Sequence, residues 1–515
     1  MSRNFEEKAN LLLTKYQITA RDLYENPPQN EAAELLEHAI ASKYNVLPLT
    51  KKDSRIWVAM SDPLNHDVIT VLRDVTGLFI EPVFSSESQI KYFINHLYGS
   101  SQIESFASQF LVDENIRRNE YKLDAELKQQ LQSAPTVKLV DSLIESAVLN
   151  KASDIHIEPY EHTLRARFRI DGSLTNPQNI KKTMLPNVIS RLKIMGGMNI
   201  AEKRLPQDGS FSLEILGEPV DFRLSTLPTF YGEKAVIRLL YNKNKIISTE
   251  NLGFFTDDLI AINRLFSYPY GAVIITGPTG SGKTTTLTGF MSELNKIGVN
   301  ITTVEDPVEN PIEGINHVAA DAKTGMDFPR ALRHIIRQDP DIIMIGEIRD
   351  GETASIAMRA AITGHLMLTT LHTNDAPGVF PRLVDMGIEP YMVSAALNGI
   401  IAQRLVRRLC GSCKKESRLS RAEADLLNTA AGTKAFIPIG CAKCNNSGYK
   451  GRFAIYEYIA FDDDIRRRIA DCRYEMSKVE TILRKNMRCM AENGAKNIEL
   501  SNTSADEVIK AVFRG

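Results

Sequence analysis

The chain has 515 residues, with 62 basic and 63 acidic side chains and a formal net charge of −1. Hydrophobic residues make up 43% and charged residues 24% of the sequence, which is typical of globular proteins and excludes a disordered or fibrous chain. Because the charges balance, no overall basic field for wrapping nucleic acid is expected. The length predicts roughly three or four domains.

The first hundred residues predict a small α/β domain. Ile56, Val58 and Met60 alternate as in a strand, and helical spacing follows up to Gly77, a residue type that ends many helices. Residues 101–134 are polar and poor in aromatic side chains, so we predict a linker with a short exposed helix. No apolar stretch approaches the roughly 20 residues of a membrane-spanning helix, and no signal peptide is expected.

The middle of the chain shows two sequence patterns in succession, first apolar–polar alternation and then alternating strands and helices. From Leu164 to Ile170, apolar residues alternate with arginines, which predicts a half-buried strand in an α+β domain. A hairpin is predicted around Gly217 by the same alternation on both sides. From Gly271 to Leu409, strands alternate with helices, as in a parallel sheet with crossover helices. Residues 451–515 are predicted to be helical.

A phosphate-binding loop is encoded at Gly277–Thr284, which fits the pattern G-x-x-x-x-G-K-[ST] between a buried strand and a helix. Backbone N–H groups of such a loop turn onto phosphate oxygens at the positive end of the helix. We expect Lys283 to neutralise the β- and γ-phosphates and the Thr284 hydroxyl to ligate Mg²⁺. The residues predicted to bind ATP are Gly277, Pro278, Thr279, Gly280, Ser281, Gly282, Lys283, Thr284 and Thr285.

Hydrolysis also needs a carboxylate at the end of a neighbouring strand, where it can orient and deprotonate water. Glu347 follows the apolar run Ile342–Ile345 and is expected at the edge of the sheet where ligands bind. The usual aspartate of P-loop enzymes is missing, because Gly346 occupies its position. Glu305 ends another strand and is predicted to engage a metal-bound water. A solvated acid at a strand end is the alternative for Glu347, and an ordinary acidic turn before a proline is the alternative for Glu305.

Two histidines, His365 and His372, bracket the predicted strand Leu366–Leu371. A histidine so placed can serve in acid/base chemistry or as a neutral hydrogen-bonding group. The sequence leaves both roles open, together with a purely structural one.

Four of the six cysteines form two C-x-x-C pairs, Cys410/Cys413 and Cys441/Cys444, with 27 residues between them. Two such knuckles can present four thiolates to Zn²⁺ in a tetrahedron. No histidine or open ligand position accompanies them, so a structural zinc is predicted. Unmetallated or redox-active thiols are the alternative.

Taken together, the motifs resemble the assembly ATPases of bacterial type IV pili and type II secretion, within the secretion ATPase superfamily. The resemblance covers roughly residues 135–460 and implies a RecA-like P-loop core, preceded by an α+β (PAS-like) domain and a small N-terminal α/β domain, with a tetracysteine zinc subdomain. The boxes that carry it are Asp154–Pro159, Arg204–Gly209, Leu224–Thr229, Gly277–Thr284, Val304–Glu309, Arg337–Asp341, Gly346–Asp350, Thr363–His365, Thr370–Asn374 and Gln403–Arg408.

Residue roles follow from the resemblance. Glu347 is implied to be the general base, Glu305–Glu309 the aspartate box, and His365 and His372 the histidine box. The resemblance also implies a hexameric ring in which the α+β domain closes over a nucleotide of its own or another subunit.

Three arginines, Arg204, Arg223 and Arg238, match positions that could supply charge to the γ-phosphate of ATP. Solvent-exposed arginines on a sheet are the alternative. Ser210 occupies a position where the family often has arginine, so one basic contact is expected to be missing.

The expected protein is a cytoplasmic, Mg²⁺-dependent homo-hexameric ATPase, held at the inner membrane by its partners. Its domain motions would act on a polytopic platform protein and assemble a type IV pilus or a type II secretion pseudopilus. The rival functions are a RecA-like DNA translocation motor, disfavoured by the balanced charge, and a non-hydrolysing nucleotide-gated scaffold, disfavoured by Glu347. The expected segments are an N-terminal partner-binding domain (1–100), a linker (101–134), an α+β domain (135–245), an ATPase domain (246–405), a zinc subdomain (406–450) and a C-terminal helical subdomain (451–515).

Overall fold

The computed structural model describes residues 12–23, 26, 28, 35–87, 89–91, 93–94, 135–175, 178–215, 217–241, 248–321 and 324–513. The chain divides into two compact units, Met1–Asn242 and Lys243–Gly515. Within the described part of the chain, no helix is both long and apolar enough to cross a bilayer. The linker helix expected within residues 101–134 lies outside the described residues.

The first unit begins with a three-stranded sheet in the order β1-β2-β3. The predicted alternation at Ile56, Val58 and Met60 belongs to β2, and these three side chains are buried. A crossover helix connects β2 to the parallel strand β3 and ends at Gly77, which is left-handed as its position requires. The elements are α1 (His38–Tyr44), β1 (Val46–Lys52), β2 (Arg55–Met60), α2 (His66–Thr76) and β3 (Phe79–Phe84).

A larger antiparallel sheet follows in the same unit, ordered β6-β5-β4-β10-β9-β8, with β7 paired to β5. One face packs its apolar side chains against two helices, and the other carries the alternating arginines, so the predicted half-buried strand and hairpin are confirmed. The elements are α3 (Pro135–Leu149), β4 (Asp154–Pro159), β5 (Thr163–Ile170), β6 (Ser173–Leu174), β7 (Gln178–Lys181), α4 (Leu185–Met195), β8 (Gln207–Ile215), β9 (Glu218–Thr229) and β10 (Gly232–Tyr241).

The second unit is built on a seven-stranded sheet ordered β13-β12-β14-β15-β11-β16-β19. All neighbouring pairs are parallel except β16 with β19. The elements up to β16 are α5 (Thr256–Phe266), β11 (Gly271–Thr276), α6 (Lys283–Leu294), β12 (Ile301–Glu305), β13 (Asn316–Ala319), α7 (Phe328–Ile335), β14 (Ile342–Ile345), α8 (Gly351–Ile362), β15 (Leu366–Leu371), α9 (Val379–Asp385), α10 (Pro390–Ala396) and β16 (Leu397–Leu409).

Both faces of this sheet are covered, since separate apolar clusters lie on the two sides. Strands β11, β14 and β15 are therefore buried along their whole length, as expected for a parallel sheet with crossover helices. Fully burying each large aliphatic side chain contributes about 1.5–3 kcal/mol. The carboxyl ends of β11, β12, β14 and β15 meet at one edge of the sheet, called here the nucleotide edge.

Two features differ from the sequence predictions. Strand β15 lies between β11 and β14, so Glu347 does not follow the immediate neighbour of the loop strand. Residues 451–460, expected in a helical subdomain, belong to β19, which pairs along β16. The remaining elements are β17 (Lys415–Arg418), α11 (Arg421–Leu426), β18 (Lys434–Ile437), β19 (Tyr449–Ala460), α12 (Asp463–Asp471), α13 (Met476–Lys485), α14 (Met490–Glu499) and α15 (Ala505–Phe513).

Candidate functional site

The loop between β11 and α6 needs glycine at two close approaches. Gly277, with φ 145°, would place a Cβ atom 2.5 Å from the Gln403 carbonyl oxygen and 2.7 Å from Ser281 Oγ. Gly282, with φ 88°, precedes the first helical residue. Both φ values lie where L side chains are strained. The loop can thus turn its backbone N–H groups inward at the helix N-terminus, which is the geometry that holds phosphate.

Lys283 is buried at the start of α6. Its Nζ atom donates to the carbonyl oxygens of Gly277 at 2.9 Å and Pro278 at 3.1 Å. Burial lowers the pKa of Lys283; the charge of Glu347 opposes this effect and that of Arg404 adds to it. The hydroxyl-bearing Thr284 is exposed on the same turn. A phosphate in the loop would therefore meet a desolvated ammonium and an accessible hydroxyl, which suits Mg²⁺-ATP.

Strand β16 braces this loop through Gln403. The Gln403 Nε2 atom donates to the Ser281 carbonyl oxygen at 2.8 Å, and its Oε1 atom accepts from Thr286 Oγ1 at 3.0 Å. Gln403 is fully buried, so these bonds are shielded from water and fix the loop against the sheet. Sequence analysis gave Gln403 no role, because only the strand order brings residue 403 beside residue 281.

Glu347 lies just beyond β14 at the nucleotide edge. Its Oε1 atom accepts from Arg349 Nε at 2.6 Å, and its Oε2 atom lies 2.9 Å from His372 Nε2. Burial works against ionisation of Glu347, but hydrogen bonds from Arg349 and His372 and their charges outweigh it and lower the pKa. The carboxylate is therefore ionised at neutral pH, which is the state a proton acceptor requires. Arg349 was missed as a partner by sequence analysis.

Glu305 ends β12 and is almost fully buried. Its Oε1 atom accepts from Thr303 Oγ1 at 2.7 Å and lies 2.9 Å from His317 Nδ1. A Cβ atom added at Gly346 would lie 3.5 Å from Glu305 Cα. Glu305 is thus located directly beside the position where the usual aspartate of P-loop enzymes is missing. His317 carried no signal in the sequence.

The two predicted histidines lie at opposite ends of β15. His372 contacts Glu347 at the nucleotide edge. His365 precedes the strand, where its carbonyl oxygen accepts from Gly271 N at 3.1 Å and its Nδ1 atom lies 3.2 Å from the Ala360 carbonyl oxygen. A strand of this length separates the two by roughly 20 Å. The structure therefore brings His372, and not His365, to the Glu347 carboxylate.

The three candidate arginines belong to the first unit. Arg238 on β10 lies opposite Arg223 on β9 and donates from Nε to Asp154 Oδ1 at 3.0 Å. On β8, the other neighbour of β9, Ser210 lies opposite Arg223. Arg204 is 91% exposed and lies 3.8 Å from a carboxylate oxygen of Glu202. Arg223 and Arg238 therefore share one sheet face, whereas Arg204 lies outside the strands.

The four cysteines converge in the second unit, with all four Sγ atoms within 4.8 Å of one another. The Sγ separations of 3.9 Å (Cys410 to Cys441), 3.8 Å (Cys413 to Cys444) and 3.7 Å (Cys441 to Cys444) match the roughly 3.8 Å of a tetrahedron with Zn–S bonds of about 2.3 Å. The backbone N–H groups of Cys441 and Gly448 each donate to Cys444 Sγ at 3.2 Å. This donor set fits a structural zinc ion.

A phosphate-binding loop at the carboxyl edge of a parallel sheet, with acidic side chains beyond two other strands, defines a P-loop ATPase. Residues 129–510 match the family described as type II/IV secretion system protein, and residues 16–104 match the MshEN domain. The chain belongs to the type II/IV secretion system protein family and is an ATPase of that family. The family and the fold class predicted from the sequence are thus confirmed.

Relatives cover nearly the whole chain. It is 40% identical over 513 residues to the type IV pilus assembly ATPase PilB of Myxococcus xanthus, covering 98% of this chain and 91% of that protein. It is 40% identical to type II secretion system protein E of Xanthomonas campestris, covering 96% and 88%. The crystal structure of the Legionella pneumophila ATPase DotB shares the fold, with a TM-score of 0.53 and 22% identity over 72% of this chain and 94% of DotB.

Proposed function

We propose that this chain is a Mg²⁺-dependent ATPase that works as a homo-hexamer and drives assembly of a type IV pilus or a type II secretion pseudopilus. The observation that carries the ATPase step is a buried Lys283 and an ionised Glu347 at one edge of the sheet, where the charge of Glu347 opposes the lowering of the Lys283 pKa by burial. The names of the pilus-assembly and type II secretion relatives support the process.

In the proposed reaction, the loop N–H groups and Lys283 hold the β- and γ-phosphates while Glu347 orients a water molecule behind the γ-phosphorus. Glu347 takes a proton as the water oxygen bonds to phosphorus. The bond from phosphorus to the β–γ bridging oxygen breaks, and its electron pair leaves with ADP. The proton then passes from Glu347 to the products, which restores the carboxylate. Lys283 neutralises the charge that develops on the departing phosphate.

A bound Mg²⁺ would supply positive charge that neutralises the phosphates. Thr284 is the proposed direct ligand, and Glu305 is proposed to accept a hydrogen bond from a metal-bound water. Arg223 and Arg238 are proposed to reach a nucleotide when the first unit closes over it, in the same or another subunit. Arg204, whose side chain is 91% exposed, is proposed to join them.

The tetracysteine cluster is proposed to hold one zinc ion that stabilises the subdomain around it. We expect elemental analysis to find one zinc per wild-type chain and none in Cys441→Ser. Cys472→Ser, which changes a half-buried cysteine remote in sequence from the C-x-x-C pairs, should keep its zinc. Retention of zinc by Cys441→Ser would contradict the assignment.

Partners and place in the cell follow from the proposed process. The hexamer is expected at the cytoplasmic side of the inner membrane, where it would engage a polytopic platform protein. Light scattering with Mg²⁺ and a non-hydrolysable ATP analogue tests the assembly, and a monomer under these conditions would contradict it.

The process is tested by supplying the wild-type chain or Lys283→Ala to cells that lack their own copy. Wild type should restore filaments or secretion and Lys283→Ala should not, whereas Lys296→Ala, an exposed change beyond the end of α6, should restore them. Salt-dependent stimulation of the purified ATPase by DNA, with no restoration of either process, would overturn the proposal in favour of a DNA motor.

A further inference from the structure

His317 makes three contacts at the acidic end of β12. It lies on β13 directly opposite Thr303, and its side chain is only 9% exposed. Its Nδ1 atom is 2.9 Å from both Glu305 Oε1 and Thr303 Oγ1. On the other side of the ring, Nε2 accepts from the backbone N–H of Ile312 at 3.0 Å. The ring therefore connects a carboxylate, a hydroxyl and the loop that joins the two strands.

These contacts fix the tautomer of His317. A backbone N–H can only donate, so Nε2 must present its lone pair to Ile312. A neutral imidazole then carries its single proton on Nδ1. That proton faces Glu305 Oε1, where a hydrogen bond to an ionised acceptor is shorter and stronger than a neutral one.

The Glu305 carboxylate is thereby held from one side. Thr303 Oγ1 donates to the same Oε1 atom at 2.7 Å, so both contacts converge on one oxygen of the carboxylate. Because residues 303 and 305 share one face of β12 and residue 317 is in register with 303, the arrangement is set by the sheet itself. Glu305 cannot rotate without breaking bonds in a buried environment.

We infer that His317 is a positioning residue for magnesium: its neutral, Nδ1-protonated ring aims Glu305 at a water of the metal. The inference rests on the role proposed above for Glu305. Removing a residue that orients another side chain of a metal site typically lowers metal affinity or activity by about 10- to 100-fold. His317 itself touches neither nucleotide nor metal in this arrangement.

Two substitutions separate positioning from packing. In His317→Gln, the amide N–H can donate to Glu305 and the amide oxygen can accept from Ile312. The variant therefore keeps one hydrogen-bond donor and one acceptor, as the histidine has. His317→Leu has similar bulk but makes neither bond. His334→Leu changes an exposed histidine on α7 in the same unit and serves as the matched control.

The first readout is the concentration of Mg²⁺ that gives half-maximal phosphate release. We expect His317→Leu to raise it about 10-fold or more, with His317→Gln and His334→Leu within about twofold of wild type. The second readout is the affinity for Mn²⁺ in the presence of ADP, measured from the EPR signal of free Mn²⁺. This measurement does not depend on ATP turnover. We expect Mn²⁺ binding to be weaker in His317→Leu and unchanged in His317→Gln and His334→Leu. Thermal unfolding shows that each variant is folded.

The third readout is the tautomer, observed by ¹⁵N NMR of histidine-labelled protein, with the His317 signals identified by their loss in His317→Gln. A protonated Nδ1 with an unprotonated Nε2 is expected. The opposite tautomer, or a folded His317→Leu with wild-type metal dependence, would overturn the inference and leave the ATPase proposal intact. Unchanged turnover in Glu347→Gln would instead overturn the proposed ATPase step itself.

Discussion

Glu347 and Glu305 lie beyond the ends of neighbouring parallel strands, yet the structure holds them in opposite ways. Glu347 contacts Arg349, which is 60% exposed, and His372, which is 47% exposed. Glu305 is buried and contacts the side chains of Thr303 and His317. Exposed ionic contacts contribute about 0–1 kcal/mol, whereas removing a donor from a buried acceptor costs about 1–3 kcal/mol.

This difference indicates which of the two carboxylates can exchange its hydrogen-bonding partners. Glu347 can release its solvated partners at small cost when a water and a γ-phosphate arrive, as a residue that accepts and returns a proton must. Glu305 is preorganised by bonds that water does not reach, as suits a group that only holds a metal-bound water in place. The predictions below test this contrast.

Of the substitutions other than Glu347→Gln, Glu305→Gln has the largest expected effect. The amide keeps the size of the side chain but loses the charge that is proposed to engage a metal-bound water. We expect turnover to fall about 10- to 100-fold, with a higher Mg²⁺ requirement. Phosphate release at varied Mg²⁺ measures both. Glu313→Gln, at an exposed acid in the loop between β12 and β13, should behave as wild type, and equal effects of the two variants would refute the distinction.

A smaller effect is expected from Arg349→Gln. The arginine hydrogen bond and charge help to lower the pKa of Glu347, so its loss should raise that pKa towards the ordinary value. The acid limb of the turnover–pH profile should then move to higher pH, with less than about 10-fold loss at neutral pH. The exposed Arg359→Gln on α8 is the control. An unmoved acid limb would show that Arg349 does not influence the base.

The smallest effect concerns stability in the first unit, where Glu158 is surrounded by cations much as Glu347 is. Burial opposes ionisation of Glu158, but hydrogen bonds from Arg167 and Lys234 hold its pKa at about 2, below the ordinary 4.5. A lowered pKa stabilises the fold above pH 4.5, and this contribution disappears as the pH falls towards 2.

Chemical denaturation at several pH values should therefore show Glu158→Gln less stable than wild type by about 1–2 kcal/mol at neutral pH. The gap should close in acid. Glu161→Gln, at an exposed acid on the next turn, should show no gap at any pH. A gap that persists at low pH would mean that charge pairing at Glu158 is not its source.

The sequence predicted what is contiguous and chemically specific. The loop Gly277–Thr284 lies between a strand and a helix as its motif requires. The cysteine site could be predicted because each C-x-x-C knuckle is formed by residues that are close in the sequence. Gln403 and His317 were missed because their roles depend on strand order and register, which no local pattern encodes. Arg349 lies only two residues beyond Glu347, but nothing in the sequence indicates that the turn after β14 brings the two side chains together.

The prediction failed at residues 451–460 for a physical reason. Phe453 and Ile455 pack into the apolar cluster on one face of the sheet, while Tyr456 packs into the cluster on the other. A strand buried on both faces loses the apolar–polar alternation that identifies strands in a sequence. His365 and His372 illustrate a related limit: the sequence placed them at the two ends of one strand, but only the structure shows that His372, and not His365, contacts Glu347.

The most direct test of the account is phosphate release by the purified protein with Mg²⁺-ATP, compared between wild type and Glu347→Gln. Loss of general-base catalysis should lower turnover by about 100-fold or more, while binding of a fluorescent ATP analogue at Lys283 stays within about twofold of wild type. A Glu347→Gln protein that releases phosphate as fast as wild type would contradict the central claim that this carboxylate activates the water.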